Sequence, residues 1–315
     1  MRILSIVLAA ALAAGASGCP GRSTAPATRG KGLRVLCGTF PMYLFTRAVV
    51  DGRPGVQVAL MIPPGMGCPH DYELTVKDMR TIAGADVFVA NGLGMEEYLG
   101  QPLRRANPKI ALIDTSKGIT DLIPLKEDEH EGGTPEPGQS RWNPHLFASP
   151  AQAARIVRTL GGELGKLDPD GAATYDKNAR AYAEQLEAVA REFSAAVKDL
   201  PNRRIVTEHE VFDYLARDGG LEIVAVVEEH PGQDPSAAGM VRLISTIKSA
   251  GAAAVFTEPQ YPVKVSEAIA RGAGVPVAML DSVASGGDNA GPEYYPAAMR
   301  ANLKTLVATL GRKAP

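Results

Sequence analysis

The chain has 315 residues and a formal net charge of −2, from 33 Lys and Arg against 35 Asp and Glu. A nucleic-acid-binding protein carries a basic excess that neutralises phosphates, so this charge balance argues against that class. Hydrophobic residues make up 45% and charged residues 22% of the chain, which is typical of globular proteins and excludes wholesale disorder. The length predicts about two domains.

The amino terminus has the pattern of a targeting segment. A basic start is followed by an apolar run over residues 3–14, which is shorter than the roughly 20 residues that span a bilayer. Residues 1–18 are therefore predicted to be a signal peptide. Small residues before Cys19 resemble a lipobox, although Ala16 stands where leucine is usual, and predict a lipid anchor at Cys19. The alternative is ordinary cleavage and a soluble periplasmic protein. Residues 19–32 are predicted to be a flexible tether.

Four short apolar runs follow the tether, at residues 34–37, 57–61, 86–89 and 110–113. Continuous apolar runs of this length suit parallel strands that are buried on both faces. Helices are predicted over residues 43–50 and 75–83, and Ser149 and Pro150 mark the start of another. Residues 33–167 are thus predicted to form an α/β lobe with a small doubly wound sheet.

The same pattern returns later in the chain. Strand-like runs occupy residues 204–207, 222–227, 253–256 and 277–280. A helix is predicted from Ser236, as N-cap, through Ile247, and another over residues 263–271. Residues 201–315 are therefore predicted to form a second, similar α/β lobe with a parallel sheet.

One long amphipathic helix is predicted between the two lobes. Apolar residues recur at steps of four and three from Tyr175 to Leu200, which places them on one helix face. Residues 172–200 would extend about 40 Å, enough to run along both lobes. We assign residues 168–200 to this linking helix and expect it to join the lobes rigidly.

Residues 126–140 differ in composition, being acidic, rich in Pro and Gly, and nearly free of apolar side chains. This composition predicts a mobile surface loop inside the first lobe. The loop contains His130, which is expected to be solvated. His230 is predicted to lie in a separate loop and is left outside any site.

The other three histidines lie at junctions between predicted elements, where α/β sheets place their ligands. His70 follows the second strand in a turn rich in Gly and Pro, and His145 precedes a predicted helix. His209 follows the fifth strand, and Asp281 ends the last one. Each histidine also has a structural interpretation, as a loop, packing or helix-start residue. Local spacings such as His-Glu-x-x-His are absent, so spacing alone does not establish a metal site.

Several segments, in order along the chain, resemble the zinc- and manganese-binding solute-binding proteins of bacterial ABC importers, the cluster A-I family. The similarity extends from about Arg34 to Leu310 and rests on an ordered set of motifs. These are residues 39–43 (TFPMY), 69–75 (PHDYELT), 91–96 (NGLGME), 143–147 (NPHLF), 256–260 (FTEPQ) and 280–282 (LDS). The chain departs from the family pattern at Asn143, where aspartate is common.

The resemblance implies two α/β lobes joined by a rigid helix, with the metal in the cleft between them. It implies that His70 and His145 from the first lobe and His209 and Asp281 from the second are the ligands. Three imidazoles and one carboxylate suit tetrahedral zinc. Manganese-carrying members typically have glutamate where this chain has His209, and imidazole favours zinc. We therefore expect Zn²⁺, with Mn²⁺ as the alternative.

Cys37 and Cys68 are a further departure from the family pattern. Cys37 ends the first predicted strand and Cys68 follows the second, so both thiols would lie near the cleft if these strands are parallel neighbours. In an oxidising compartment they could form a disulfide. The alternatives are a thiolate at the metal, since Cys68 is two residues from His70, and two unrelated buried thiols.

The function that the resemblance implies is metal capture outside the cytoplasm. The protein would bind Zn²⁺ in the periplasm or at the outer face of the cytoplasmic membrane, act as a monomer, and deliver the ion to an ABC permease and its ATPase. One alternative is a zinc-dependent hydrolase with Glu208, Glu210 or Glu258 as general base. Four protein ligands would leave no open position for water, and no hydrolase motif is present. A metal-binding surface adhesin is a third possibility.

Overall fold

The computed structural model describes residues 32–66, 72–125, 141–228 and 234–311. The predicted signal peptide, nearly all of the tether with Cys19, and the acidic loop with His130 lie outside this part of the chain. So do Cys68, His70 and His230. The predictions made for these residues therefore stay predictions.

The first lobe contains a parallel four-stranded sheet in the order β2-β1-β3-β4. Its strands are β1 (Arg34–Cys37), β2 (Gln57–Leu60), β3 (Val87–Ala90) and β4 (Ala111–Asp114). All four were predicted to within one residue. The sheet is doubly wound, because the chain leaves β1 on one side for β2 and returns to the other side for β3.

The second lobe repeats this topology. Its parallel sheet has the order β6-β5-β7-β8, and its strands are β5 (Arg204–Thr207), β6 (Glu222–Val226), β7 (Ala254–Thr257) and β8 (Val277–Met279). Burial on both faces is confirmed for central strands such as β3 and β7, in which every residue is buried. It is wrong for the edge strands, since β2 alternates exposed and half-buried residues.

Helices cover both sheets. They are α1 (Phe40–Val50), α2 (Val76–Gly84), α3 (Gly100–Ala106), α4 (Pro150–Leu167), α5 (Ala172–Lys198), α6 (Asp213–Gly219), α7 (Ala237–Ala250), α8 (Lys264–Ala273) and α9 (Tyr294–Leu310). The Ser236 N-cap is confirmed, because its Oγ accepts a hydrogen bond from Gly239 N. Ser149 occupies the predicted N-cap of α4, but its hydroxyl donates instead to Asp218 Oδ2 at 2.6 Å. In the described part of the chain, no helix is both long and apolar enough to cross a membrane.

Helix α5 joins the two lobes, as predicted. It has 27 residues and is about 40 Å long. Its buried face includes Tyr175, Leu186 and Phe193, and it packs against α1 and α4 of the first lobe and against α6 and α9 of the second. One apolar core consequently extends through both lobes. The domain boundaries at 167/168 and 200/201 stay predictions.

Asp168 connects the first lobe to the start of α5. Its carboxylate accepts two hydrogen bonds of 2.9 Å from the Arg53 guanidinium and one of 2.6 Å from Tyr175 Oη. The hydrogen bonds from Arg53, assisted by that from Tyr175, hold the pKa of Asp168 below its ordinary value although burial opposes this. The folded state is therefore stabilised by the ionised carboxylate.

Replacing Asp168 with Asn is expected to lower the free energy of unfolding at neutral pH by about 1–3 kcal/mol. Because the folded-state pKa is depressed, this stabilisation is present above the unfolded-state pKa and is lost as pH falls through the folded-state pKa. The stabilities of wild type and variant should therefore converge in acid. Urea denaturation at neutral and acidic pH measures this, and a difference that does not change with pH would contradict it.

Candidate metal centre

The predicted ligands in the described part of the chain lie near the carboxyl ends of the strands. His209 lies two residues after β5, and Asp281 lies two residues after β8. His145 precedes a short 3-10 turn, Leu146–Ala148, that leads into α4. His145 belongs to the first lobe, whereas His209 and Asp281 belong to the second.

The structure brings the imidazoles of His145 and His209 into contact. Their ring centroids are 5.3 Å apart and their planes are inclined at 82°. The side chains are almost completely buried, with residue exposures of 3% and 2%. Two rings bound to one tetrahedral zinc through nitrogens about 2.0–2.1 Å from the ion have centroids about 5.2 Å apart. The observed separation therefore fits two imidazoles that share one zinc ion.

The segment before His145 is held by the loop after β3. Asn91 Nδ2 donates to the carbonyl oxygen of Pro144 at 2.8 Å. The buried Glu96 carboxylate accepts hydrogen bonds from Asn91 N at 2.7 Å and from Gly92 N at 3.2 Å. Burial raises the pKa of Glu96 to about 7 against the effect of these bonds. Residues 91–96, which the sequence marked only as a family motif, thus support the position of His145.

Asn143 contacts both His145 and the second lobe. Its Oδ1 accepts a hydrogen bond from His145 N at 2.9 Å and lies 2.8 Å from His145 Nδ1. Its Nδ2 donates to the carbonyl oxygen of Glu210 at 2.9 Å and lies 3.3 Å from Asp213 Oδ2. This buried amide therefore links the first histidine to the chain that follows the second.

Glu258, at the end of β7, is the neighbour of His209. Its Oε1 lies 2.7 Å from His209 Nδ1, which is ion-pair distance, and its side chain is fully buried. Gln260 Nε2 donates to Glu258 Oε2 at 2.7 Å, and the Tyr261 ring centroid lies 5.6 Å from that of His209. From the sequence, Glu258 was assigned only to a family motif and to the candidate bases of a hydrolase. Its contact with His209 was not predicted.

The acidic residues beside His209 have partners of their own. Glu208 is buried and accepts a hydrogen bond from Ser266 Oγ, which lies 3.1 Å from Oε1 and 2.8 Å from Oε2. Burial raises the pKa of Glu208 to about 7, in opposition to the bond from Ser266. Glu210 contributes its carbonyl oxygen to the bond with Asn143.

Asp281 is held in the second lobe by its own hydrogen bonds. Its Oδ1 accepts from Val283 N at 2.7 Å, and its Oδ2 accepts from Tyr294 Oη at 2.6 Å. Burial raises its pKa, these two bonds oppose the shift, and the charge of Glu258 adds to it. Among the residues that the structure describes, no three His, Cys, Asp or Glu side chains form a group that could hold a metal ion. The structure thus places His145 in contact with His209, but it does not bring all of the predicted ligands together.

Direct hydrogen bonds connect the lobes around this pair. Tyr214 Oη donates to the carbonyl oxygen of Asn143 at 2.9 Å, and Tyr295 Oη donates to that of Phe147 at 2.6 Å. Gly286 N donates to the carbonyl oxygen of Pro64 at 2.8 Å. These hydrogen bonds hold the two lobes together on several sides of the two histidines.

Cys37 is a free, buried thiol. Its strand does pair with β2, as expected, but Sγ is directed toward α1 and donates to Thr46 Oγ1 at 3.3 Å. The disulfide alternative is therefore not realised in the structure, because the thiol lies in the core under α1. Burial raises the pKa of Cys37 to about 12, which disfavours the reactive thiolate.

Cys37 is expected to resist alkylation in the folded protein and to react after unfolding without a reductant. The reasons are its burial and its raised pKa. Iodoacetamide labelling followed by peptide mass spectrometry, with and without reductant, measures this. Labelling of Cys37 that requires prior reduction would restore the disulfide.

Comparisons with known proteins agree with this architecture. Residues 35–309 match the family model ZnuA, described as zinc-uptake complex component A periplasmic. The chain is 30% identical to the zinc-binding lipoprotein AdcA of Streptococcus pneumoniae serotype 4, over all of this chain and 62% of the relative. It is 30% identical to the high-affinity zinc uptake system protein ZnuA of Bacillus subtilis, over 89% of this chain and 88% of the relative.

A solved structure has the same fold. The solute-binding protein FpvC of Pseudomonas aeruginosa, in complex with Mn²⁺, superposes with a TM-score of 0.76 at 31% identity. The match covers 89% of this chain and 98% of that one. The motif-based resemblance is thus confirmed over nearly all of the described residues, and the chain belongs to the ZnuA family of periplasmic zinc-uptake components.

Proposed function

We propose that this protein is the extracytoplasmic solute-binding component of a metal ABC importer, which captures Zn²⁺ and delivers it to a membrane permease and its ATPase. The observation that carries this proposal is the contact between His145 and His209, one from each lobe, at a centroid distance of 5.3 Å. An ion bound by both rings would join the lobes. The zinc-binding relatives AdcA and ZnuA support the same role.

The proposed zinc ligands are His70, His145, His209 and Asp281. The two described histidines have a ring separation that is compatible with shared coordination, and His70 is assigned from its sequence segment alone. Asp281 is a half-buried carboxylate close enough to the fully buried Glu258 for their charges to interact. A divalent cation next to Asp281 would favour its ionised form, because opposite charge offsets the cost of burial.

Zinc is proposed over manganese because of the donor atoms. Three imidazoles favour Zn²⁺, whereas sites rich in oxygen suit Mn²⁺. The manganese complex of FpvC makes Mn²⁺ the competitor to test. At equal supply, the general order of affinities also places Zn²⁺ above Mn²⁺.

Transport is proposed in preference to hydrolysis. A catalytic zinc site keeps a position open for water, whereas three histidines and one aspartate would fill a tetrahedral site. The lipobox-like segment at Cys19 and the lipoprotein relative support anchoring at the outer face of the cytoplasmic membrane. The monomeric state and an adhesin role stay predictions.

The test is the elemental content of protein purified without added metal, followed by competition between Zn²⁺ and Mn²⁺. We expect one zinc ion per chain and displacement of Mn²⁺ by Zn²⁺. Manganese that zinc cannot displace would overturn the choice of metal. Failure to bind either ion would overturn the proposed function.

A further inference from the structure

We infer that Asn143 and Glu258 are positioning residues that keep the proton of each histidine on Nδ1, so that Nε2 of His145 and Nε2 of His209 bind the metal ion. This inference rests on the proposed function and deepens it. It assigns a role to two buried residues that lie beside the proposed ligands, one in each lobe.

The orientation of the Asn143 amide follows from its partners in the second lobe. The carbonyl oxygen of Glu210 and the carboxylate of Asp213 are acceptors, so the group that faces them at 2.9 and 3.3 Å is the NH₂ of the amide. Oδ1 therefore faces His145, where it accepts from the backbone N–H at 2.9 Å. An acceptor 2.8 Å from Nδ1 requires the ring proton there. Nε2 is then the deprotonated nitrogen, which is the form that binds a metal.

Backbone contacts fix Asn143 itself. Its N–H donates to the carbonyl oxygen of Ile123 at 2.8 Å, and its carbonyl oxygen accepts from Tyr214 Oη at 2.9 Å. Since Tyr214 and Glu210 belong to the second lobe, the orientation of His145 depends on contact between the lobes. An aspartate at position 143 could still accept from Nδ1, but it could not donate to Glu210 and would place a second carboxylate near Asp213.

Glu258 lies beside Nδ1 of His209 as Asn143 lies beside Nδ1 of His145, but the side chain of Glu258 is charged. A carboxylate oxygen at ion-pair distance, 2.7 Å from Nδ1, attracts a proton to that nitrogen through its negative charge. The carboxylate is fully buried, and Gln260 Nε2 holds its other oxygen at 2.7 Å. Carboxylate partners of this kind orient ligating histidines and increase their basicity, and their loss typically costs about 10- to 100-fold in metal affinity.

The most direct test is histidine ring ¹⁵N NMR of the full-length protein loaded with Zn²⁺. We expect His145 and His209 each to carry a proton on Nδ1 and to bind zinc through Nε2. Coordination through Nδ1 of either ring would overturn the inference. Wild-type protein that binds no zinc would instead overturn the proposed function, so the two failures are distinguishable.

Paired variants test the two residues separately. Glu258→Leu is expected to lower zinc affinity by about 10- to 100-fold, and Glu258→Gln by less, because an amide oxygen still accepts from Nδ1. Asn143→Asp and Asn143→Leu both lose the bond to Glu210, but only Leu loses the acceptor. We therefore expect Leu to weaken zinc binding more than Asp.

The controls separate positioning from folding. Urea denaturation of metal-free protein measures how much stability each Asn143 variant loses, so that zinc affinities are compared only between variants that are folded in the assay. Equal zinc affinities in the two Asn143 variants, or wild-type affinity in Glu258→Leu, would overturn the inference. If the Leu variants do not fold, wild-type zinc affinity in Glu258→Gln would overturn the role of Glu258. Nδ1 coordination in Asn143→Asp would overturn that of Asn143.

Discussion

Replacing His209 with Ala is expected to lower the zinc affinity by more than about a hundredfold. The substitution removes one of the imidazoles whose rings meet between the lobes at 5.3 Å. Loss of an outer hydrogen-bond partner alone costs about 10- to 100-fold, so loss of a direct ligand should cost more. His145→Ala and His70→Ala are expected to have effects of the same order. Competition titration with a zinc chelator measures each affinity.

The chain supplies its own matched controls for this experiment. His130 and His230 are histidines that the sequence places outside the site, so His130→Ala and His230→Ala should bind zinc like the wild type. An equal loss in either control would show that the wrong histidines had been assigned. Wild-type zinc affinity in His209→Ala would refute the site itself.

Replacing Gly92 with Ala is expected to destabilise the metal-free protein by about 2–5 kcal/mol. Gly92 has a φ of +87°, and a Cβ there would lie 2.1 Å from Asp114 Oδ1. The left-handed conformation costs an alanine about 1–2 kcal/mol, and overpacking adds about 1–3 kcal/mol. Asp114 cannot move freely, because its Oδ1 accepts hydrogen bonds from Ser116 N and Ser116 Oγ.

Gly118 is the matched control for the cost of placing an alanine in the left-handed backbone conformation. Its φ is +82°, but nothing lies within 4 Å of a Cβ at that position. Gly118→Ala should therefore cost only about 1–2 kcal/mol. Urea denaturation without metal compares the two variants, because bound zinc would add its own stabilisation. Equal losses would show that the close approach of Asp114 to Gly92 has no energetic consequence.

The strands could be predicted because apolar composition dominates them. β1 and β5 have the predicted bounds, since their apolar residues fill the centres of the two sheets. β3 begins one residue later than predicted. Asp86 instead lies just before the strand, where its carboxylate accepts hydrogen bonds from the backbone N–H and the guanidinium of Arg34.

Helix α9 could not be predicted from an apolar stripe alone. It packs against α5 and so helps to join the lobes, but its buried face includes the polar residue Asn302. The Asn302 amide is paired with both the N–H and the carbonyl oxygen of Asp281. A polar residue at a core position interrupts the pattern, and only the fold shows which groups satisfy it.

The positions of His145 and His209 followed from the sequence, but their neighbours did not. Asn143 is 67 residues from Glu210, and Glu258 reaches His209 from another strand. Nothing local distinguishes a glutamate at the end of β7 from a solvated one. These contacts exist only because the topology brings the strand ends and the two lobes together.

The most direct test of the zinc site is X-ray absorption at the zinc K-edge of the zinc-loaded protein. We expect three imidazole nitrogens and one carboxylate oxygen about 2.0–2.2 Å from the ion, with no sulfur. Zinc bound by fewer than three imidazoles, or a sulfur ligand at about 2.3 Å, would contradict the assignment of His70, His145, His209 and Asp281.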